Sequence, residues 1–167
     1  MNILENFKSV KAFVFDIDGV LASDTLLILE GGALTRNMNS KDGHSLRMAV
    51  KKGYPVAVIS GSDSEAVKIR LSKLGVKDIF LQVADKKQKL QEYISQTGLN
   101  PETILYMGDD IPDYSCLKMV GMPCCPANAA IEIKQIAKYI SPLDGGNGCV
   151  RDVIEKVLKL NGHWDLE

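Results

Sequence analysis

A chain of 167 residues with 46% hydrophobic and 25% charged residues has the composition of one globular domain, spanning 1-167, large enough for a real core and short for two catalytic domains. A net charge of -1 with no basic block argues against a nucleic-acid partner, and no segment approaches the ~20 apolar residues of a membrane helix. The opening MNILENFKSVK has neither a long apolar centre nor a cleavage signature, so a soluble, cytoplasmic protein is expected. Cys116, Cys124, Cys125 and Cys149 show no C-x-x-C spacing and read as reduced, mostly buried thiols.

In chain order, Ala12 to Phe15 reads as a strand buried on both faces, ending abruptly in Asp16-Ile17-Asp18-Gly19. Acids at i and i+2 leave a strand end on the same side, and Gly19 lets the chain turn away. Leu26 to Leu29, the turn Gly31-Gly32 and Ala33 to Asn37 then read as a β-hairpin at about 24-38. Its four consecutive bulky apolar residues cannot all face one side, so another surface must cover them, and a neighbouring subunit is the natural cover. Asp42 to Gly53 reads as a helix with Leu46, Ala49 and Val50 on one face, and Pro55 to Ser60 as a strand. A helix capped by Ser62 or Asp63 presents Val67, Leu71 and Leu74, and Ile79 to Leu81 is a short strand.

Asp85 to Thr97 is the next helix, ended by Gly98, and the strand Thr103 to Met107 runs into Gly108-Asp109-Asp110. Helical text covers Asp113 to Val120, a short strand Met122 to Cys124, and a helix runs from about Ala129 to Ala137. The last helix follows Gly145-Gly146-Asn147-Gly148, with a stripe of Val150, Val153, Ile154, Val157 and Leu158. Strands alternating with helices of this length predict βαβ units, hence an α/β fold with a parallel sheet covered on both faces and a site beyond the carboxyl ends of the strands.

What those ends carry suits phosphoryl transfer. Asp16 is placed to attack phosphorus, and Asp18 to protonate the leaving alkoxide and then deprotonate water. The Asp16 carboxylate, the Asp18 carbonyl and Asp109 offer Mg2+ the oxygen ligands it takes. Lys86 would neutralise charge between carboxylate and phosphate, with Lys87 as a one-residue ambiguity, and Ser60 with the Gly61 amide at a helix start would cradle an anion. Taken singly, Ser60 reads as a helix cap and Lys86 as a solvated charge; the order and spacing of the set carry the reading.

These four deposits, DIDG at 16–19, Ser60, Lys86 and MGDDIPD at 107–113, resemble the four motifs of the haloacid dehalogenase superfamily, mostly Mg2+-dependent phosphatases. The likeness implies a Rossmann-like core, here with the hairpin inserted after strand 1 and no cap domain. Nearly the whole chain is similar to capless phosphatases acting on 3-deoxy-D-manno-octulosonate (KDO) 8-phosphate, and to relatives acting on nine-carbon 2-keto-3-deoxy sugar acid 9-phosphates. The residues that carry this are DIDGVL at 16–21, the hairpin, NSKDG at 39–43, GDDIPD at 108–113 and GGNGCVR at 145–151. That resemblance implies an aspartyl-phosphate intermediate, a role in lipopolysaccharide precursor synthesis and a homotetramer whose hairpins seal neighbouring sites.

One departure bears on substrate. Where the octulosonate enzymes typically carry Thr-Gly-Arg, this chain has Ser60-Gly61-Ser62, which keeps the hydroxyl and loses a fork for a sugar carboxylate. Arg70 and Lys73 at i and i+3, or Lys41 and Asp42 near the hairpin base, are the candidates to compensate, although such charges also suit a solvated face. A non-catalytic oligomerisation module of the same fold is the rival from another class, and the presence of every expected acid and the lysine speaks against it. A mutase would need a cap that no stretch can build, and neither His44 nor His163 sits in a phosphate cradle.

Overall fold

In the computed structural model, which describes residues 2–166, the run Ala12–Phe15 forms strand β1 with all four residues buried. A two-stranded antiparallel hairpin follows, β2 (Leu27–Ile28) with β3 (Leu34–Thr35). The remaining strands are β4 (Val56–Ile59), β5 (Asp78–Phe80), β6 (Ile104–Met107), β7 (Met122–Cys125) and β8 (Tyr139–Ile140). They join β1 in a six-stranded sheet of order β5-β4-β1-β6-β7-β8, every pairing parallel. β1 is central, so its carboxyl end is flanked on both sides by other strand ends.

The helices are α1 (Ile3–Ser9), α2 (Ser40–Lys51), α3 (Glu65–Lys73), α4 (Lys86–Thr97), α5 (Tyr114–Leu117), α6 (Ile131–Ile136) and α7 (Cys149–Leu160). The period of two in the strands sorts the core into two layers. Phe13, Phe15 and Val58 pack with apolar residues of α1, α2, α3 and α7 on one face, and Val14, Ile59 and Tyr106 with those of α4, α5 and α6 on the other. Continuous burial of β1, β4, β6 and β7 follows from this double cover.

Several boundaries differ from the sequence expectation for physical reasons. α1 was not expected; it forms on a capping box between Asn2 and Glu5 and buries Phe7 edge-on against Tyr139 at 5.0 Å. β8 was also not expected, being two residues long. α2 begins at Ser40 because Asn39, not Asp42, accepts its first amides. α3 begins late, at Glu65 with Ser64 as cap, because two serine turns intervene: Ser60 Oγ accepts the Ser62 N–H and Ser62 Oγ that of Ser64. The Gly61 amide therefore lies in a turn, not at a helix start. The helix expected over Asp113 to Val120 shrinks to a 3-10 turn, Ile111–Asp113, and the single turn of α5.

Two features of the expected motifs gain a structural cause. In the glycine-rich loop before α7, a Cβ on Gly145 would lie 1.9 Å from the Gly19 carbonyl oxygen and one on Gly146 2.4 Å from the Ser23 nitrogen. Backbone thus packs directly on backbone, tied by the Gly146 amide donating to the Val20 carbonyl at 2.8 Å. In the hairpin, Leu27 and Ile28 are 64% and 70% exposed, and Leu29 and Leu34 are also exposed, so nothing within the described chain covers them.

Candidate active site

The carboxyl ends of β1 and β4 open on a cavity of about 870 Å³ whose lining includes Asp16, Asp18, Ser60, Gly61, Ser62 and Lys86. Asp109, beyond β6, lies in an adjoining recess with Asp16, Asp18 and Asp113. The Asp109 carboxylate rests on Gly19, which has φ +87 and where a Cβ would fall 1.9 Å from Asp109 Oδ2. Any side chain at 19 would push this carboxylate out of the cluster.

Lys86 is the electrostatic centre. Its Nζ donates to Asp113 Oδ1 at 2.8 Å and sits 2.9 Å from Asp16 Oδ2, with the lysine side chain only 7% exposed. Burial works against its charge, yet Asp16 and Asp113 outweigh burial and hold the ammonium above its ordinary range. Lys87 is exposed on the cavity wall, so the structure assigns the buried ion pairs to Lys86.

Asp113 organises the rest, a role the sequence reading did not give it. Its Oδ1 also accepts the Tyr106 hydroxyl at 2.7 Å, and its Oδ2 accepts the Asp109 N–H at 3.1 Å. It thereby orients the lysine and the Asp109 backbone together. Gly108 is required beside it, since a Cβ there would meet the Asp113 Cβ at 2.4 Å.

Carboxylate oxygens of Asp16, Asp109 and Asp113 lie within 4.8 Å of one another, an all-oxygen cluster of the kind Mg2+ takes. Burial first, then Asp113, push the Asp16 carboxyl up to about 8, while Lys86 and the Ile17 amide pull it down. Burial, then Asp113 and Asp110, push Asp109 up to about 7. One lysine does not balance this much negative charge, and a divalent cation held by Asp16 and Asp109 would; the residues fit the ion. Asp113 already accepts three hydrogen bonds, which suits it to orient rather than to ligate.

This crowding sets a pH dependence. Carboxyls whose folded pKa lies above the ordinary 3.8 hold protons that the unfolded chain has released. The metal-free protein is therefore expected to lose stability as pH rises from about 4 to about 8, and added Mg2+ to raise the melting temperature more at pH 8 than at pH 5. Thermal melts with chelator and with Mg2+ measure this; an Mg2+ shift independent of pH would contradict the electrostatic account.

Not every expected residue reaches the cavity. Lys41 is exposed and lines a separate cleft with Asn39, Arg151 and Lys156. Asp42 is buried, and its Oδ1 accepts the Arg151 N–H at 2.8 Å, capping α7, where Gly148 has no side chain to do so. Burial pushes Asp42 up to about 6. Its task in this chain is structural. Arg70, exposed on α3, has Nη2 2.9 Å from where a Cβ on Gly43 would be, so it lies over α2, and Lys73 is exposed in the last turn of α3. Ser62 alone of the substrate candidates lines the cavity.

Arg36, at the end of the hairpin's return strand, escaped the sequence reading. Its Nε donates to Asp18 Oδ1 at 2.7 Å and its Nη2 to Oδ2 at 3.1 Å. No local signal marks such a pair across 18 residues of sequence.

Comparison with known proteins identifies relatives of the whole fold. The family model for haloacid dehalogenase-like hydrolases matches residues 63–152. The KDO 8-phosphate phosphatase of Escherichia coli K12 is 26% identical over 164 residues, covering 98% of this chain and 87% of that protein. A crystal structure of the Moraxella catarrhalis KDO 8-phosphate phosphatase, in complex with magnesium, phosphate and KDO, superposes with a TM-score of 0.90 at 30% identity, covering 95% of this chain and 91% of the other. The cobalt-bound Haemophilus influenzae enzyme of that activity superposes with a TM-score of 0.89 at 28% identity, covering 94% and 92%. With a buried acid-lysine centre at the end of β1 and no cap over it among the described residues, the chain belongs to the haloacid dehalogenase-like hydrolases, as a capless phosphatase of that family.

Proposed function

We propose that this phosphatase hydrolyses a 2-keto-3-deoxy sugar acid phosphate, KDO 8-phosphate to KDO and phosphate, with Mg2+ and through an aspartyl-phosphate on Asp16. The observation that carries the chemistry is the Asp16–Lys86 contact of 2.9 Å in a cavity that also holds Ser60 and Asp18. An Asp16 oxygen attacks phosphorus as the bond to the sugar oxygen breaks, and Asp18 delivers the proton to that oxygen. Asp18 then takes a proton from water as the water attacks phosphorus, and the Asp16–phosphate bond breaks. Lys86 faces the dianion throughout, and Ser60 and Gly61 hold its outer oxygens. Asp16, Asp109 and the Asp18 carbonyl would hold Mg2+, which would supply further charge neutralisation. Lipopolysaccharide precursor synthesis in the cytoplasm is the setting this substrate implies.

Self-association belongs to the same reading. Exposed Leu27, Ile28, Leu29 and Leu34 call for a cover, and hairpins of neighbouring copies in a homotetramer supply it. Sedimentation as an 18.3 kDa monomer would refute this.

Phosphate release with and without Mg2+ from KDO 8-phosphate, the nine-carbon 9-phosphates and hexose phosphates tests the substrate. Preference for KDO 8-phosphate is expected. Ser62 in the cavity wall makes a nine-carbon preference the informative alternative, and no Mg2+-dependent release from any member would favour a non-catalytic module.

A further inference from the structure

The cavity holds more positive charge than the phosphate site uses. Lys86 is committed to Asp16 and Asp113, whereas Arg36 lines the same cavity between the hairpin and Asp18, its side chain only 6% exposed. A guanidinium carries five N–H donors, and Asp18 engages two of them. No other acceptor takes the remaining three among the described residues, and no Arg36 nitrogen is sealed from solvent without a partner, so the free edge opens on the cavity. Asp63, on the same wall, adds to the field that holds Arg36 cationic. Leu26 and Leu34 of the hairpin flank it with apolar surface. No other arginine lines this cavity among the described residues.

We infer that Arg36 is the specificity-determining residue of this site, its open guanidinium edge binding a carboxylate of the substrate distinct from the phosphate. This rests on the phosphatase reading for the position of the phosphate at Asp16 and Lys86. A planar fork with free donors matches a carboxylate, and burial strengthens the pair by excluding water. The hairpin then has a task within its own subunit: it delivers a cation to the site. A carboxylated phosphate monoester is selected over a neutral sugar phosphate because only the former satisfies the free donors.

The test compares wild type, Arg36→Met and Arg36→Lys, each as the full chain with Mg2+, on KDO 8-phosphate and on a hexose 6-phosphate without a carboxylate. In Arg36→Met the ratio of the two kcat/KM values is expected to fall by about 30-fold, the worth of a charge-assisted pair, through KM for the carboxylated substrate. Arg36→Lys, which keeps the charge and loses the fork, should fall between. A ratio unchanged while both substrates slow equally would show that Arg36 serves only to orient Asp18, and would overturn the inference. Calorimetric binding of free KDO provides the second readout: the affinity should drop about 30-fold in Arg36→Met, and an unchanged affinity overturns the inference. If wild type turns over neither phosphate, the phosphatase reading fails while the binding measurement still decides the role of Arg36.

Discussion

Asp16→Asn is expected to abolish phosphate release, lowering kcat by on the order of 10⁴-fold or more, because the amide neither attacks phosphorus nor carries it as an acyl phosphate. The fold should survive. Asp16 is buried, and its charge is disfavoured there by burial and by Asp113, so a neutral isostere removes a repulsion while Lys86 keeps Asp113 as partner. At pH 8 without metal the variant should therefore melt no lower than wild type, and its Mg2+-induced rise in melting temperature should largely vanish with one ligand gone. Steady-state phosphate release together with thermal melts reads all three. Turnover near the wild-type rate would refute Asp16 as nucleophile, whichever sugar acid is bound.

Lys86→Met should be the more damaging change to the protein itself. It leaves Asp16, Asp109 and Asp113 clustered within 4.8 Å with no cation among them, and takes a hydrogen-bond donor from Asp113. Removing one partner of a buried ion pair costs about 3–5 kcal/mol. That cost should be largest at pH 8 and smaller at pH 5, where Asp16 and Asp109, raised to about 8 and about 7, are protonated in the metal-free protein. Mg2+ should return part of it. Urea denaturation at both pH values, with chelator and with Mg2+, measures the difference; a loss below about 1 kcal/mol at pH 8 would mean that Lys86 is not the counter-charge of the cluster.

The features visible in the sequence are those written in contiguous residues. The buried strand before Asp16, the alternation of strands and helices, and the carboxyl-end deposits all follow from period, turn chemistry and residue type. The coverless apolar hairpin was visible for the same reason: four bulky residues in a row cannot hide in two strands. Through-space relations were not visible. Asp113 read as the start of a helix, yet its partners Lys86 and Tyr106 come from elsewhere in the chain, at separations of 27 and 7 residues. Asp42 and Arg70 read as site candidates from their charge, and the structure employs Asp42 as a cap on α7 and lays Arg70 over α2. Arg36 carried no signal at all, because only the fold of the hairpin brings it to Asp18.

The contact of Gly145 and Gly146 with the backbone from Gly19 to Ser23 ties the order of synthesis to the onset of activity. A ribosome delivers the nucleophile strand early, but the surface that fixes the loop beyond it arrives only with the last quarter of the chain. Until then the Gly19 carbonyl lacks the Gly145 backbone that packs against it, and the loop beneath the Asp109 carboxylate is held only by its own turn. The nascent chain is thus expected to stay catalytically silent until its final helix has docked.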